Sequence, residues 1–297
     1  MTARLSGVIA AIPTPFTDKN EPDAGAFVAF AGHLLANGCD ALNVLGTTGE
    51  ATSLPVAARK ALMSAAGANL PKDRLMVGTG TAALADTVEL TRHAGELGYA
   101  GALLLPPFYY KGVPDEGIIA TFRMVAEATR DTAISLYLYN FPAMTGIVYT
   151  RPLVERLMEA VPGRIVGLKD SSGDMAYAAD LAAIDGFDVF PSNEASLLQA
   201  RDGLYAGCIS ATANLNADLC ARAWREGDAE ALDRAVAIRA RVAGPSLIAG
   251  VKAVVAARSG HDGYRYVLPP LIELGAEERG AVLEDVDAIR NRRLAAV

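Results

Sequence analysis

The feature that most constrains this chain is a repeat of pattern. Short, continuous apolar runs recur along it, and each is followed by a stretch whose apolar residues return at the helical spacing. The runs at 7–12 (GVIAAI), 41–45 (ALNVL), 75–78 (LMVG), 100–105 (AGALLL), 133–139 (AISLYLY), 165–169 (IVGLK), 187–190 (FDVF) and 207–210 (GCIS) read as buried strands. Asp23 is placed to cap a helix carrying Phe27, Phe30, Ala31, Leu34 and Leu35 at the helical period and ending at Asn37-Gly38. A second helix is led by Ser53 and Pro55, and further helices are expected near residues 86–97, 115–129, 151–160, 176–184, 194–205 and 216–226.

Regular alternation of buried strands with amphipathic helices implies a parallel sheet with helical crossovers. Eight such units in about 225 residues match the α/β architecture of a closed (β/α)8 TIM barrel, with a doubly wound open sheet as the alternative. Beyond residue 225 the pattern is purely helical: about 228–242, 245–259, and a last segment with Val282, Val286 and Ile289 on one face. The expected organisation is a barrel over residues 1–225 carrying the active site and a C-terminal helical subdomain over 226–297.

Composition removes several function classes. With 297 residues, 52% of them hydrophobic, the chain can bury a large core. Its net charge of −7, with acids and bases interspersed, offers no basic stripe to a phosphate backbone, so nucleic acid is not an expected partner. The N-terminal apolar run is broken by Pro13 and Pro15, and no window approaches the roughly 20 apolar residues of a membrane span, which leads us to expect a cytoplasmic protein with no membrane partner. Cys39, Cys208 and Cys220 share no metal or redox spacing and read as small core residues. His33, His93 and His261 form no zinc motif, Gly78-Thr79-Gly80 lacks the third glycine of a dinucleotide fingerprint, and no nucleophile elbow is present, so no metal is expected.

In a (β/α)8 barrel, catalytic groups stand at the carboxyl ends of different strands. Here that rim is rich in hydroxyls. Gly46-Thr47-Thr48-Gly49-Glu50 follows the second strand, Pro106-Pro107-Phe108-Tyr109-Tyr110 the fourth, Tyr139-Asn140-Phe141-Pro142 ends the fifth, and Lys169 ends the sixth. A lysine at a strand end either packs its stem and reaches water or, in a partly desolvated cleft, attacks a ketone as the neutral amine to form a Schiff base. The Gly46–Gly49 turn either aims backbone N–H groups and threonine hydroxyls at a carboxylate or phosphate, or is an ordinary turn whose hydroxyls cap the next helix. Glu50 fits a capping or pairing role. Tyr139 is either a core aromatic or, beside Lys169 on the neighbouring strand, a proton relay; Tyr137 shares its face as a core residue. Asp170 should point away from Lys169 by strand alternation. Lys252, in the helical segment AGVKAVVAA, is the rival nucleophile, but its place away from the rim favours packing or an ion pair.

The combination of Gly46-Thr47-Thr48-Gly49-Glu50, Tyr110, Tyr139-Asn140-Phe141-Pro142 and the run to Lys169 resembles the dihydrodipicolinate synthase and N-acetylneuraminate lyase superfamily of class I aldolases. The resemblance extends from Pro13-Thr14-Pro15-Phe16 through Ile209-Ser210-Ala211-Thr212-Ala213-Asn214 to Val251-Lys252-Ala253 and the C-terminal helices. It implies that Lys169 forms the Schiff base with the C2 ketone of pyruvate or a longer 2-keto acid and that Thr47 and Thr48, with Gly46 at the turn, hold its carboxylate. It further implies that Tyr139 shuttles the proton, that Tyr110 enters from a neighbouring subunit to complete a relay through Thr47, and that the Ile209 carbonyl faces the imine. No cofactor beyond the covalent lysine imine is implied; the partners are a 2-keto acid, an aldehyde, and other copies of the chain in a homotetramer built as a dimer of dimers.

One position departs from the synthase pattern. Dihydrodipicolinate synthases carry an arginine two residues after the proline of their YNxP motif, and here that position is Met144, which cannot make the bidentate guanidinium contact to a carboxylate. The segment YNFPAMTG is instead similar to the YNxPxxTG pattern of 2-keto-3-deoxy sugar acid aldolases. The resemblance therefore implies reversible cleavage of a 2-keto-3-deoxy acid to pyruvate and an aldehyde, with Ser192, Asn193 and Ser210 as contacts for its hydroxyls. A dihydrodipicolinate synthase, a 2-keto-3-deoxy acid dehydratase on the same lysine and tyrosine, and a keto-acid-binding protein without turnover are the alternatives.

Overall fold

Each of the eight apolar runs becomes a strand, and all eight lie parallel because a crossover with helical structure separates each strand from the next. The computed structural model describes residues 4–244 and 246–291. In chain order the barrel elements are β1 (Gly7–Ala11), α1 (Ala24–Ala36), β2 (Ala41–Val44), α2 (Val56–Asn69), β3 (Leu75–Gly78), α3 (Leu84–Leu97), β4 (Gly101–Leu104), α4 (Asp115–Ala128) and β5 (Ser135–Asn140). There follow a short α5 (Pro142–Thr145), α6 (Arg151–Ala160), β6 (Ile165–Asp170), α7 (Met175–Ala182), β7 (Asp188–Pro191), α8 (Leu197–Arg201), β8 (Gly207–Ser210) and α9 (Ala213–Glu226). The chain then continues through α10 (Ala229–Val242), α11 (Leu247–Ser259) and α12 (Ala276–Asn291), which pack on α9 and on one another.

The strand order is β7-β6-β5-β4-β3-β2-β1-β8. The pairing of β8 with β1, from Gly7 opposite Gly207 to Ala10 opposite Ser210, decides for the barrel over the open sheet. At the remaining seam the Ala206 N–H donates to the Val189 carbonyl at 3.0 Å. Gly207 makes the closure sterically feasible: a Cβ there would stand 2.0 Å from the Gly7 carbonyl oxygen, and its φ of +151° disfavours an L side chain. Gly207→Ala is therefore expected to lower stability by about 3 kcal/mol, seen as a fall in the urea midpoint at unchanged slope.

Strand alternation sorts the core into two layers. Ile9, Ala11, Ala41, Met76, Leu103, Tyr137, Tyr139, Phe190 and Ile209 fill the barrel interior, whereas Val8, Leu42, Val77, Leu136, Leu168 and Cys208 face the surrounding helices. The three cysteines are buried as expected, and burial together with Asp40 pushes the Cys39 thiol up to about 12, so it behaves as a core residue. Asp23 caps α1 by accepting from the Ala26 N–H at 2.9 Å. Among the described residues no single helix is long and apolar enough to cross a membrane.

Local structure departs from these expectations at several places. The helix expected over 194–205 is a 3-10 turn, Glu194–Ser196, followed by the short α8, because Asn193 caps the Ala195 N–H and Ser196 bonds back to the Asn193 carbonyl. The eighth barrel helix begins three residues earlier than its apolar pattern, at Ala213, with a kink at Asn216 whose amide donates to the Ala235 carbonyl. The α5 turn after β5 is too short for a periodic signal, though Pro142 at its start suits a helix entry. Pro245, which opened one expected helix, lies outside the described residues; that helix begins at Leu247.

Candidate active site

β5 and β6 run side by side with Tyr139 opposite Lys169. The register shifts by one residue near Leu136, so Val166 is extra and the remaining positions keep Gly167 and Lys169 inward with Leu168 outward. Lys169 and Tyr139 are both buried, 5% and 4% exposed. The Lys169 Nζ donates to the Tyr139 hydroxyl at 3.4 Å and stands 4.6 Å from the centre of its ring. On the far side the same hydroxyl shares a hydrogen bond of 3.2 Å with Thr47 Oγ1. The three side chains thus form an amine–phenol–hydroxyl array in the carboxyl-end half of the barrel.

Electrostatics favour a reactive phenol. Burial pushes the Tyr139 hydroxyl up, but the Lys169 charge and hydrogen bonds from Thr47, Ser171 and Lys169 together bring it below its ordinary value. A phenol so placed has the geometry to accept or donate a proton beside an amine. Asp170 turns the other way, as alternation requires: it accepts from Asn140 Nδ2 at 2.7 Å and from Ser172 Oγ at 2.8 Å, which fixes the ends of both strands behind the site.

The Gly46–Glu50 loop supplies the third wall. Gly49 N–H closes onto the Gly46 carbonyl at 3.1 Å and Glu50 N–H onto the Thr47 carbonyl at 3.1 Å, so the amides of Thr47 and Thr48 lie outside these turn bonds. Leu45 and Glu50 flank the loop at φ of 52° and 57°, each at a cost on the order of 1 kcal/mol. Gly49 is needed for close approach, since a Cβ would meet Leu45 Cα at 3.1 Å and the Ile12 carbonyl at 3.2 Å. The threonines do not cap the next helix, whose N-cap is Pro55.

Other expected residues fall variously. Ile209 lies in the interior layer with Tyr139. Ser192 and Asn193 follow β7 at the mouth, half-buried, with Asn193 Oδ1 engaged by the Ala195 N–H. Met144 is 65% exposed on α5. Tyr110, 73% exposed, packs edge-to-face on Tyr109 in the loop after β4 and is not brought to Tyr139 within the chain. Ser210 is a correction: its hydroxyl, expected to contact substrate, donates to Glu194 at 2.7 Å in a buried cluster with Thr212 and Arg239. It alternates outward from Ile209 because β8 presents every second residue to the helices.

Lys252 is wholly buried and donates to Glu50 at 2.6 Å, with its Nζ 4.2 Å from the centre of the Phe16 ring. Burial, opposed by Glu50 and Glu273, lowers it to about 8, a value that taken alone would suit a nucleophile; enclosure without access to the barrel mouth assigns it to pairing instead. Two residues at the site escaped the sequence reading. Ser171 helps to lower the Tyr139 phenol, and along the chain it is marked only as a hydroxyl two positions after the lysine. Asn43 is fully buried beneath Gly46, on the inward parity of β2, with neither amide atom paired among the described residues. Among the described residues no group of three or more His, Cys, Asp or Glu comes together as a metal-ligand set.

The model of the dihydrodipicolinate synthetase family matches residues 4–289. The chain belongs to the dihydrodipicolinate synthetase family. As a member it is a class I lyase acting on pyruvate through a lysine Schiff base, without a metal ion or cofactor. It is 35% identical over 213 residues to an uncharacterized DapA-like lyase of Chloroflexus aurantiacus, covering 70% of each chain. It is also 30% identical over 239 residues to the putative 2-dehydro-3-deoxy-D-gluconate aldolase YagE of Escherichia coli, covering 76% of each. The crystal structure of YagE in complex with pyruvate superposes with a TM-score of 0.86 at 27% identity, over 97% of this chain and 99% of that one. Dihydrodipicolinate synthase from Agrobacterium tumefaciens superposes with a TM-score of 0.88 at 28% identity, over 96% and 99%.

Proposed function

We propose that this family member cleaves a 2-keto-3-deoxy acid reversibly into pyruvate and an aldehyde, with Lys169 as the Schiff-base lysine. The observation that carries the reading is the array in which Lys169 Nζ, Tyr139 OH and Thr47 Oγ1 follow one another at 3.4 and 3.2 Å in the barrel. The neutral Lys169 amine adds to the C2 ketone and water leaves, giving a protonated imine. Tyr139 then takes the C4 hydroxyl proton, the C3–C4 bond breaks with its electrons flowing into the imine, and the aldehyde departs. The resulting enamine is protonated at C3, and water releases pyruvate and the free lysine. Thr47 and Thr48 hold the substrate carboxylate, and the Ile209 carbonyl faces the imine nitrogen.

Tyr110 of a second copy completes the relay through Thr47 in a homotetramer built as a dimer of dimers; its 73% exposure in one chain suits such a role. Met144 at the mouth supports an aldehyde half without a carboxylate at that point, since a thioether cannot clamp one. The test is product analysis over a panel of 2-keto-3-deoxy acids. Release of pyruvate and aldehyde in equal amounts is expected. A longer keto acid without pyruvate would assign a dehydratase, condensation to dihydrodipicolinate a synthase, and binding without turnover a keto-acid receptor.

A further inference from the structure

The proposed chemistry makes no use of the buried pair between Glu50 and Lys252. Glu50 closes the Gly46–Glu50 loop at 2% exposure, and Lys252 on α11 meets its Oε1 at 2.6 Å at 0% exposure. The second carboxylate oxygen accepts from the Leu268 N–H, also at 2.6 Å. Phe16, under the ammonium, anchors its own N–H on the Gly263 carbonyl at 2.9 Å, and Thr14 donates to the Gly49 carbonyl at 2.8 Å. N-terminal and C-terminal segments of the chain thus converge on Gly49 and Glu50, the two residues that follow the threonine pair.

A buried ion pair is a poor source of stability, because desolvation offsets its attraction and an apolar pair of similar volume does as well. Its distinctive effect here is geometric. Glu50 sits at φ 57°, a conformation that a non-glycine residue keeps only where its surroundings hold it. Lys252 and the Leu268 amide hold both of its oxygens, and the Glu50 N–H in turn bonds the Thr47 carbonyl at 3.1 Å.

We propose that Glu50 and Lys252 are positioning residues, a buried latch by which α11 holds the Thr47–Thr48 loop in its carboxylate-binding shape. The proposal rests on the reading of that loop as the pyruvate carboxylate site. The amine that attacks the ketone, Lys169, stands on a different strand, so the latch controls selectivity for the charged substrate end and leaves imine formation itself in place.

The test measures the concentrations of pyruvate and of methyl pyruvate, which keeps the ketone and loses the charge, that give half-maximal borohydride trapping. Intact mass and peptide mapping locate the adduct in the wild type, in Glu50→Gln, and in the double variant Glu50→Leu with Lys252→Met. The double variant leaves no buried charge unpaired, so it keeps the question answerable if the single one unfolds. Wild type should prefer pyruvate. Both variants should need about tenfold more pyruvate or more, with methyl pyruvate changed by less than about twofold. Unchanged preference for pyruvate in a folded variant, or an equal loss for both ketones, overturns the latch while leaving the Schiff-base reading intact. Absence of any wild-type adduct overturns both.

Discussion

Replacement of Lys169 by alanine abolishes the borohydride-trapped pyruvate adduct and lowers turnover by about 10⁴-fold or more, because the covalent electron sink is lost and no second amine can replace it. Lys252, the other buried lysine, is held by Glu50 at 2.6 Å with no exposed surface, so a keto acid has no path to it. The alanine variant should still fold. Lys169 donates to Tyr139 at the inner surface of the barrel, and the Tyr139 hydroxyl retains Thr47 at 3.2 Å when the amine is removed. Intact mass after reduction, with thermal melting as the fold control, checks both statements; an adduct that persists in Lys169→Ala and maps to Lys252 would overturn the assignment.

Replacement of Tyr139 by phenylalanine lowers turnover by about 10²- to 10³-fold while the adduct on Lys169 still forms. The ring fills the same space, so the change removes a proton relay and leaves the packing. In the wild type, burial raises the phenol, while the positive charge at Lys169 and the surrounding hydrogen bonds lower it further than burial raises it. The protonated imine keeps a positive charge at that nitrogen, so the bias persists through the reaction. The acceptor in the cleavage direction is the phenolate, and the rate should therefore rise with pH through a limb placed below the value of about 10 for an ordinary tyrosine. Tyr139→Phe should remove that limb. A variant with wild-type turnover, or one that loses the adduct altogether, would show that the phenol is not the relay.

Much of this site was legible along the chain. Lys169 could be placed at a strand end because an apolar run terminates in KDSSG, and Tyr139 beside it because consecutive units of a barrel are neighbours. Asp170 could be turned away by alternation alone, and it does bond Asn140 and Ser172 on the outer side. Ser210 shows the limit of reading a rim residue as a contact: it ends β8 as Lys169 lies at the end of β6, but on the outward parity, where Glu194 takes its hydroxyl. The helix expected over 194–205 failed for a related reason. Its apolar spacing is helical, yet side-chain bonds from Asn193 and Ser196 turn the backbone first.

The sequence by itself determined the order of elements, the two layers of the core and the chemical types gathered at one end of the strands. These follow from periodicity and from residue chemistry, which act over a few neighbours in the chain. Tertiary structure alone decided that β8 closes on β1, that the Tyr139 hydroxyl stands between Lys169 Nζ and Thr47 Oγ1, and that Glu50 finds Lys252. Those pairings join residues 30 to 202 positions apart. No local pattern encodes them; they are set when the sheet twists into a barrel and the C-terminal helices bury the charges that the closed barrel leaves behind.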